Sequence, residues 1–433
     1  PSLPELQPLL DITVHRIKKQ IRIGMSEVEI AVDKGEITAG PKGKQQTDVL
    51  AEVELELKTG RLSDLFALGL DLLETAPLRP HGQSKADRGF ALLDHISMGC
   101  PEPQPAEPVL FDKASALPSA PSGSTTAALP PSAAAVCRHA CRAALAQIAA
   151  NEGAVRAGID PEGVHQMRVG VRRFKATLAV FAPLVEGPET DMLKAALSGL
   201  MDALGPARDA DVFCEEILEP LGARLAEEQG WSALVDHFTT LRAERNKAAQ
   251  DYVASAAFPR FLLRATAWIE DGIWAADPRR ESLRAQPVLD HGNGVLAKRH
   301  KRLLKDGRGF KHLPDEPRHA LRIRVKKVRY ALDVLGPLYG EKTTKPLRKA
   351  LSALQESLGG LNDIAVAGDT LRQAAEAAGP ENHRLAFTAG HAAGLLEIPK
   401  TSLLRQSEAD WRAFKSLRPP WLAPDPEPKT PKR

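Results

Sequence analysis

His165, Arg168, Arg172 and Lys175 follow one another at intervals of three, four and three residues, and His319, Arg322, Lys326 and Arg329 do the same. On an α-helix such intervals put four side chains in one stripe. The first set lies in VHQMRVGVRRFKATLAVF, from Val164, and the second in RHALRIRVKKVRYALDVL, from Arg318. His165 matches His319 at an offset of 154, and at that offset Arg173 meets Lys327 and Lys175 meets Arg329. Like charges at these spacings cost about 0.2–0.5 kcal/mol per pair. A cationic stripe made twice, with no acid inside it, therefore points to an anionic partner that offsets the repulsion. For one such helix a solvated basic face is the simpler account, but the repetition argues against it.

More bases precede each stripe: Arg138 and Arg142 before the first, and Lys298, Arg299, Lys301, Arg302 and Lys305 in KRHKRLLK before the second. Aromatic residues make up 5% of the chain and only Tyr330 falls inside a stripe, so stacking of nucleobases has little support. Bare phosphate suits the array better. Arg bridges two oxygens, Lys supplies a point charge, and a linear phosphate polymer presents both with a repeating target. The two histidines either join that target as cations when the pH falls, or orient a neighbouring helix by a hydrogen bond.

The elements that must carry these residues are legible from pattern. A second stripe accompanies each basic one: Met167, Val171, Phe174, Leu178 and Phe181, then Leu321, Val325, Val328, Leu332 and Leu335. These are the expected packing faces. Farther on, LMDALGPARDADV and LQESLGGLNDIAV align Gly205 with Gly359 and Asp209 with Asp363, again 154 apart. The unit is thus a duplicated helical one, with repeats over about 133–226 and 287–378 in an all-helical region 133–417. Asp160 before Pro161 reads as a helix start, Gly-Pro at 187–188 and 205–206 as stops, and Asp209 and Asp363 as N-caps.

Residues 1–95 differ. HRIKKQIRI, SEVEIAVDKGEITAG and DVLAEVELELKTG alternate with period two and break at Gly24, Gly35 and Gly60, which predicts three antiparallel strands. LSDLFALGLDLLET then reads as a helix capped by Ser63 or Asp64. Residues 96–132 are a Pro/Ala/Ser-rich linker, with eight prolines between 101 and 131, and 418–433 a disordered tail. Division by region sharpens the formal charge of +3. Residues 1–95 carry 12 Lys/Arg against 15 Asp/Glu, whereas 298–329 carry 13 against 3.

No run approaches the roughly 18 apolar residues of a membrane span, and the chain opens without a basic segment followed by an apolar stretch. Four irregularly spaced cysteines make no disulfide framework, so a cytoplasmic protein is the expectation. Cys137, His139 and Cys141 are close in sequence, but a helix turns the histidine away from both thiols, which argues against zinc. Neither a nucleophile–base arrangement nor a Gly-rich phosphate loop is present.

The duplicated H-x-x-R-x-x-x-R/K-R/K-x-R/K helices and the paired L-G-x-x-x-D segments resemble the CHAD domain over about residues 133–417. The resemblance implies a mainly α fold of two pseudo-symmetric helical bundles, binding of inorganic polyphosphate and association with polyphosphate granules. It implicates His165, Arg168, Arg172, Arg173 and Lys175 with His319, Arg322, Lys326, Lys327 and Arg329. EVEIAVDKGEI, AEVELELKTG and SKADRGFALL resemble the later half of a CYTH domain, the triphosphate tunnel metalloenzyme fold, here as a small α+β fragment of an antiparallel barrel whose first half is missing. Alternating Glu52, Glu54 and Glu56 lie on one side of a strand and can share Mg or Mn; Glu27 and Glu29 repeat that pattern earlier. Binding, for which no cofactor is needed, is the expected role. A metal-dependent triphosphatase in the strand region is the alternative, and nonspecific capture of nucleic acid or another polyanion is the third.

Overall fold

The computed structural model describes residues 8–98, 105–106, 131–379 and 382–422. Three strands, β1 (Leu10–Ile23), β2 (Ser26–Ala39) and β3 (Gln46–Thr59), precede α1 (Leu62–Thr75) and α2 (Lys85–Met98). Then come α3 (Ala133–Ala150), α4 (Glu152–Ala157), α5 (Glu162–Val180), α6 (Ala182–Val185), α7 (Pro188–Val212), α8 (Glu219–Leu225), α9 (Trp231–Ala254) and α10 (Ala257–Asp271). The chain continues through α11 (Glu281–Ala285), α12 (Val288–Asp306), α13 (Asp315–Leu335), α14 (Glu341–Ala377), α15 (His383–Leu396) and α16 (Lys400–Ser416). The fold is mainly α with a small antiparallel sheet, as the two sequence periods require. Contacts divide it into two units. One comprises Pro1–Ala106, Ala149–Gly163 and Gln250–Ile273, and the other Glu107–Ile148, Val164–Ala249 and Trp274–Arg433.

In the first unit the strands form an antiparallel sheet in the order β1-β2-β3, which stays open among the described residues. It is compatible with part of a CYTH-like barrel. β1 and β2 turn at Gly24, but Gly35 breaks nothing: it sits in mid-strand, paired with Val14 on one side and Leu50 on the other. A Cβ at Gly35 would lie 1.9 Å from the Thr13 carbonyl oxygen, so the glycine permits close approach of β1 rather than ending β2. The expected caps of α1 also differ. Arg61 occupies the N-cap without a side-chain bond, while Asp64 accepts from Ser26 Oγ at 2.5 Å and ties the first helical turn to β2.

In the second unit both apolar stripes are buried along their whole length: Met167, Val171, Phe174 and Leu178 on α5 with Phe181 just past its end, and Leu321, Val325, Val328, Leu332 and Leu335 on α13, all at most 1% exposed. Asp160 starts α5 as expected, accepting from the Glu162 amide at 2.7 Å. Gly187-Pro188 does mark a boundary, Pro188 opening α7, but Gly205-Pro206 lies inside α7. A proline there removes one helical hydrogen bond without ending the helix. The irregularity follows farther on, as a π-helical segment Phe213–Leu218 just before Pro220. Asp209 and Asp363 accordingly sit within α7 and α14 and cap neither. A second core joins Phe213, Leu225, Leu234 and Phe238 to Leu371, Leu385 and Ala389.

Most of the expected linker lies outside the described residues, as does the tail from 423 onward. Trp421, placed in that tail by composition, is 6% exposed and meets His300 and Tyr339 edge-on. Apolar partners, invisible to a count of prolines, extend the folded part past residue 418. No helix among the described residues is long and apolar enough to cross a membrane.

Two buried histidines set a pH dependence. His291 donates Nε2–H to the Val180 carbonyl at 2.9 Å and accepts at Nδ1 from Gln286, while His300 packs against Phe414 and Trp421. Burial pushes both below the ordinary value of 6.5. The unfolded chain then takes up protons that the folded one refuses, so stability falls as pH drops from about 6.5 toward the lowered folded values. Thermal unfolding monitored by circular dichroism should show a lower midpoint at pH 5.5 than at pH 7.5, and His300→Phe should reduce that difference.

Candidate anion-binding site

The helical faces sort the predicted cations. With Leu321, Val325 and Val328 turned inward, Arg322, Lys326 and Arg329 occupy one flank of α13, and Arg324 and Lys327 the other. α5 follows the same rule, with His165, Arg168, Arg172 and Lys175 on one flank and Arg173 on the other. The two stripe flanks converge. Lys326, itself half-buried, lies near enough to Arg322, Arg172 and Arg329 that all three disfavour its charge; burial, the largest effect, lowers its pKa further. Burial likewise lowers Arg172, which neighbours Tyr330, Arg329 and Arg208, and Arg168, which neighbours Asp209, Arg172 and Arg208.

Each repeat holds one arginine deep in this cluster in the same way. The Arg168 side chain is 15% exposed and its Nη2 stands 3.6 Å from Asp209 Oδ1; Arg322 is 16% exposed and stands 3.7 Å from Asp363 Oδ1. Both distances exceed a normal hydrogen bond. Both Nε atoms are buried without a hydrogen-bond partner among the described residues. Gly205 makes the space in the first repeat, since a Cβ there would lie 2.9 Å from Arg168 Nη1. Asp209 and Asp363 are thus outward-lying counterions rather than caps. Arg172, Arg208 and Lys326 form no ion pair among the described residues.

His319 donates from Nδ1 to Asn362 Oδ1 on α14 at 2.9 Å, the helix-orienting role. His165 stands half-buried on the matching flank of α5. Lys175 donates to Ser198 Oγ at 3.0 Å, and Arg329 lies over the Tyr330 ring with Asp333 at 3.9 Å. Arg173 is held by Gln147 Oε1 at 2.8 Å, outside the cluster. Arg138 stacks over Trp274, its Nε buried and without a hydrogen-bond partner among the described residues, and Arg142 is exposed on α3. Arg208, which the stripes did not include, joins the cluster from α7. The signal for it was its place beside the matched Asp209.

The bases of α12 lie elsewhere. Lys298, Lys301, Arg302 and Lys305 line a groove of about 890 Å³ with Arg324 and Lys327, over a floor that includes Val180, Pro183 and Val295. Lys327, implicated with the second stripe by the family resemblance, therefore lies apart from it. Arg299 spends its guanidinium on two carbonyls, Ala179 at 2.7 Å and Lys327 at 2.9 Å.

The expected metal set is rearranged. Oxygens of Glu52 and Glu54 lie with one of Asp33, all within 4.8 Å of one another. Glu56 is apart from this set and pairs instead with Lys58 at 2.8 Å. Asp33 enters because β2 registers it opposite Glu52. Hard oxygens suit Mg or Mn, yet Lys85 Nζ lies 2.9 Å from Asp33 Oδ2 and 2.6 Å from Glu54 Oε1 and also bonds Glu52, while Arg16 bonds Asp33 and Glu54. Arg16 and Lys85 hold the buried Asp33 carboxyl down at about 2. With an ammonium at the centre of the donor set, these residues do not fit a divalent ion. Cys137 and Cys141 are buried, Cys141 with its thiol pushed up by burial, and join no such set among the described residues.

Residues 139–372 match the family model for the CHAD domain. The chain belongs to the CHAD domain family. The crystal structure of the CHAD domain from the plant Ricinus communis superposes with a TM-score of 0.58 at 29% identity, covering 70% of this chain and 98% of that one. PptA from Streptomyces chartreusis gives 0.48 at 19%, covering 66% and 98%. An inorganic triphosphatase of Haemophilus influenzae is 34% identical over 91 residues, 20% of this chain. That stretch spans 24% of the Haemophilus protein. The convergent cations of α5, α7 and α13 all lie inside the CHAD match.

Proposed function

We propose that this chain binds inorganic polyphosphate through the cluster of Arg168, Arg172, Arg208, Arg322 and Lys326, without catalysis. Membership of the CHAD family and likeness to a stretch of an inorganic triphosphatase support a polyphosphate-related role. The observation that carries the reading is the convergence of two basic flanks on a place where two buried arginine Nε atoms have no hydrogen-bond partner among the described residues. Buried cations that repel one another gain from an anion that bridges them, and a bare phosphate chain offers charge on every unit. Recruitment to polyphosphate granules in the cytoplasm would follow from that affinity.

Titration of the full chain with polyphosphate at rising salt tests it: binding strong at low salt and weakening linearly on a log–log plot is expected. Absence of binding at low salt, or displacement of polyphosphate by DNA or RNA as easily as the reverse, refutes it. Asp209 and Asp363 compete with the ligand for the deep arginines. Asp209→Asn with Asp363→Asn should therefore tighten binding by roughly threefold to tenfold at low salt, the scale of a partly exposed ion pair. The same titration reads that change.

A further inference from the structure

The geometry points to the groove between α12 and α13 as a second anion site, which takes the continuing length of a long polyphosphate chain held in the first and so makes affinity depend on chain length. This inference rests on the function proposed above. Lys298, Lys301, Lys305 and Lys327 form no ion pair among the described residues, and Glu186 is the one acid lining the groove. The two arginines present are held differently. Arg302 and Arg324 share the Asp306 carboxylate at 3.0 and 3.1 Å, which fixes them at the groove's edge.

The spacing of Lys298, Lys301 and Lys305 along α12 repeats the logic of the main stripes, with like charges stacked at three and four residues and no acid between them. The floor of Val180, Pro183 and Val295 contributes no carboxylate. What such a groove selects for is negative charge. Flexible lysine stems suit a polymer that need not lie in one register. The two sites occupy opposite flanks of α13, an element about 10–12 Å across with its side chains. Lys326 in the cluster and Lys327 in the groove are sequence neighbours, so a chain leaving one site meets a cation at the entrance of the other. Two linked contacts on one polymer raise affinity by effective concentration, whereas a short anion uses one site at a time.

The test compares tripolyphosphate with long-chain polyphosphate on the full chain, before and after combined Lys298→Ala, Lys301→Ala, Lys305→Ala and Lys327→Ala. Long-chain affinity should fall by about tenfold or more and the salt slope by about three, while tripolyphosphate affinity changes by less than about threefold. Four Lys→Arg replacements at the same positions should keep the long-chain affinity. Equal loss for both ligands, or no loss for either, overturns the inference. If the four-lysine variant matches the unaltered chain while alanines in the cluster abolish binding, the inference falls and the proposed function stands. If the unaltered chain binds neither ligand, both fall.

Discussion

Arg168→Ala, Arg172→Ala, Arg322→Ala and Lys326→Ala in combination should weaken long-chain polyphosphate binding by about a hundredfold or more. Hydrogen bonds to charged groups contribute about 1.5–3 kcal/mol each, and about 1.4 kcal/mol corresponds to a factor of ten. The four sit in one cluster, so their effects will not add in full; even half of the summed value exceeds a hundredfold. The slope of log affinity on log salt should also fall by about three, at roughly 0.7–0.9 per phosphate charge neutralised. Removing like charges from a half-buried site relieves repulsion, since burial and mutual proximity already lower the pKa values of Arg168, Arg172 and Lys326. The variant should therefore fold at least as well as the unaltered chain. Unchanged affinity or an unchanged salt slope in a folded variant would remove the cluster from the binding site.

Phe174→Ala makes the opposite separation. Phe174 is 0% exposed and belongs to the packing stripe of α5. Deleting such a ring costs about 3–5 kcal/mol, the transfer free energy of the removed atoms plus the cavity left behind. The matched position in the second repeat carries Val328, at 1% exposure. Val328→Ala removes only two carbons, and at about 0.8 kcal/mol per buried methylene it should cost about 2 kcal/mol. Denaturant midpoints with unchanged slopes should rank the two in that order. Near-equal midpoints would mean that the repeats do not pack alike at this pair. Polyphosphate affinity of the fraction that remains folded should be preserved, in contrast to the cation variants.

How far the sequence foretold this structure depends on the range of each interaction. Helical periodicity is local, and so each residue of both apolar stripes was assignable before any contact was known. The 154-residue offset also survived folding, down to the matched pairs Arg168–Asp209 and Arg322–Asp363. The roles of those aspartates were not legible. Gly205-Pro206 looked like punctuation ahead of Asp209, and only the packing of α7 beside α5 turns the glycine into space for a guanidinium. Arg208 was missed because it belongs to a helix whose face toward α5 is set by tertiary contact. In the sheet, Asp33 joined Glu52 through strand register, and Lys85 arrives from a helix after the strands. Neither follows from alternation within one strand. Arg173 and Lys327 were grouped with the stripes by family resemblance, although one step along a helix is a turn of about 100°.

The guanidinium of Arg299 has a consequence for how the duplication can be taken apart. It donates to the carbonyl of Ala179 in the first repeat and to that of Lys327 in the second. Those acceptors are main-chain groups, so no exchange of side chains on either repeat replaces them. A gene fragment ending after the first repeat would leave the Ala179 oxygen to water and lose the cation that complements the closing turn of α5. One side chain thereby fastens the end of α5 to α13, and a cut between the repeats removes that fastening from both.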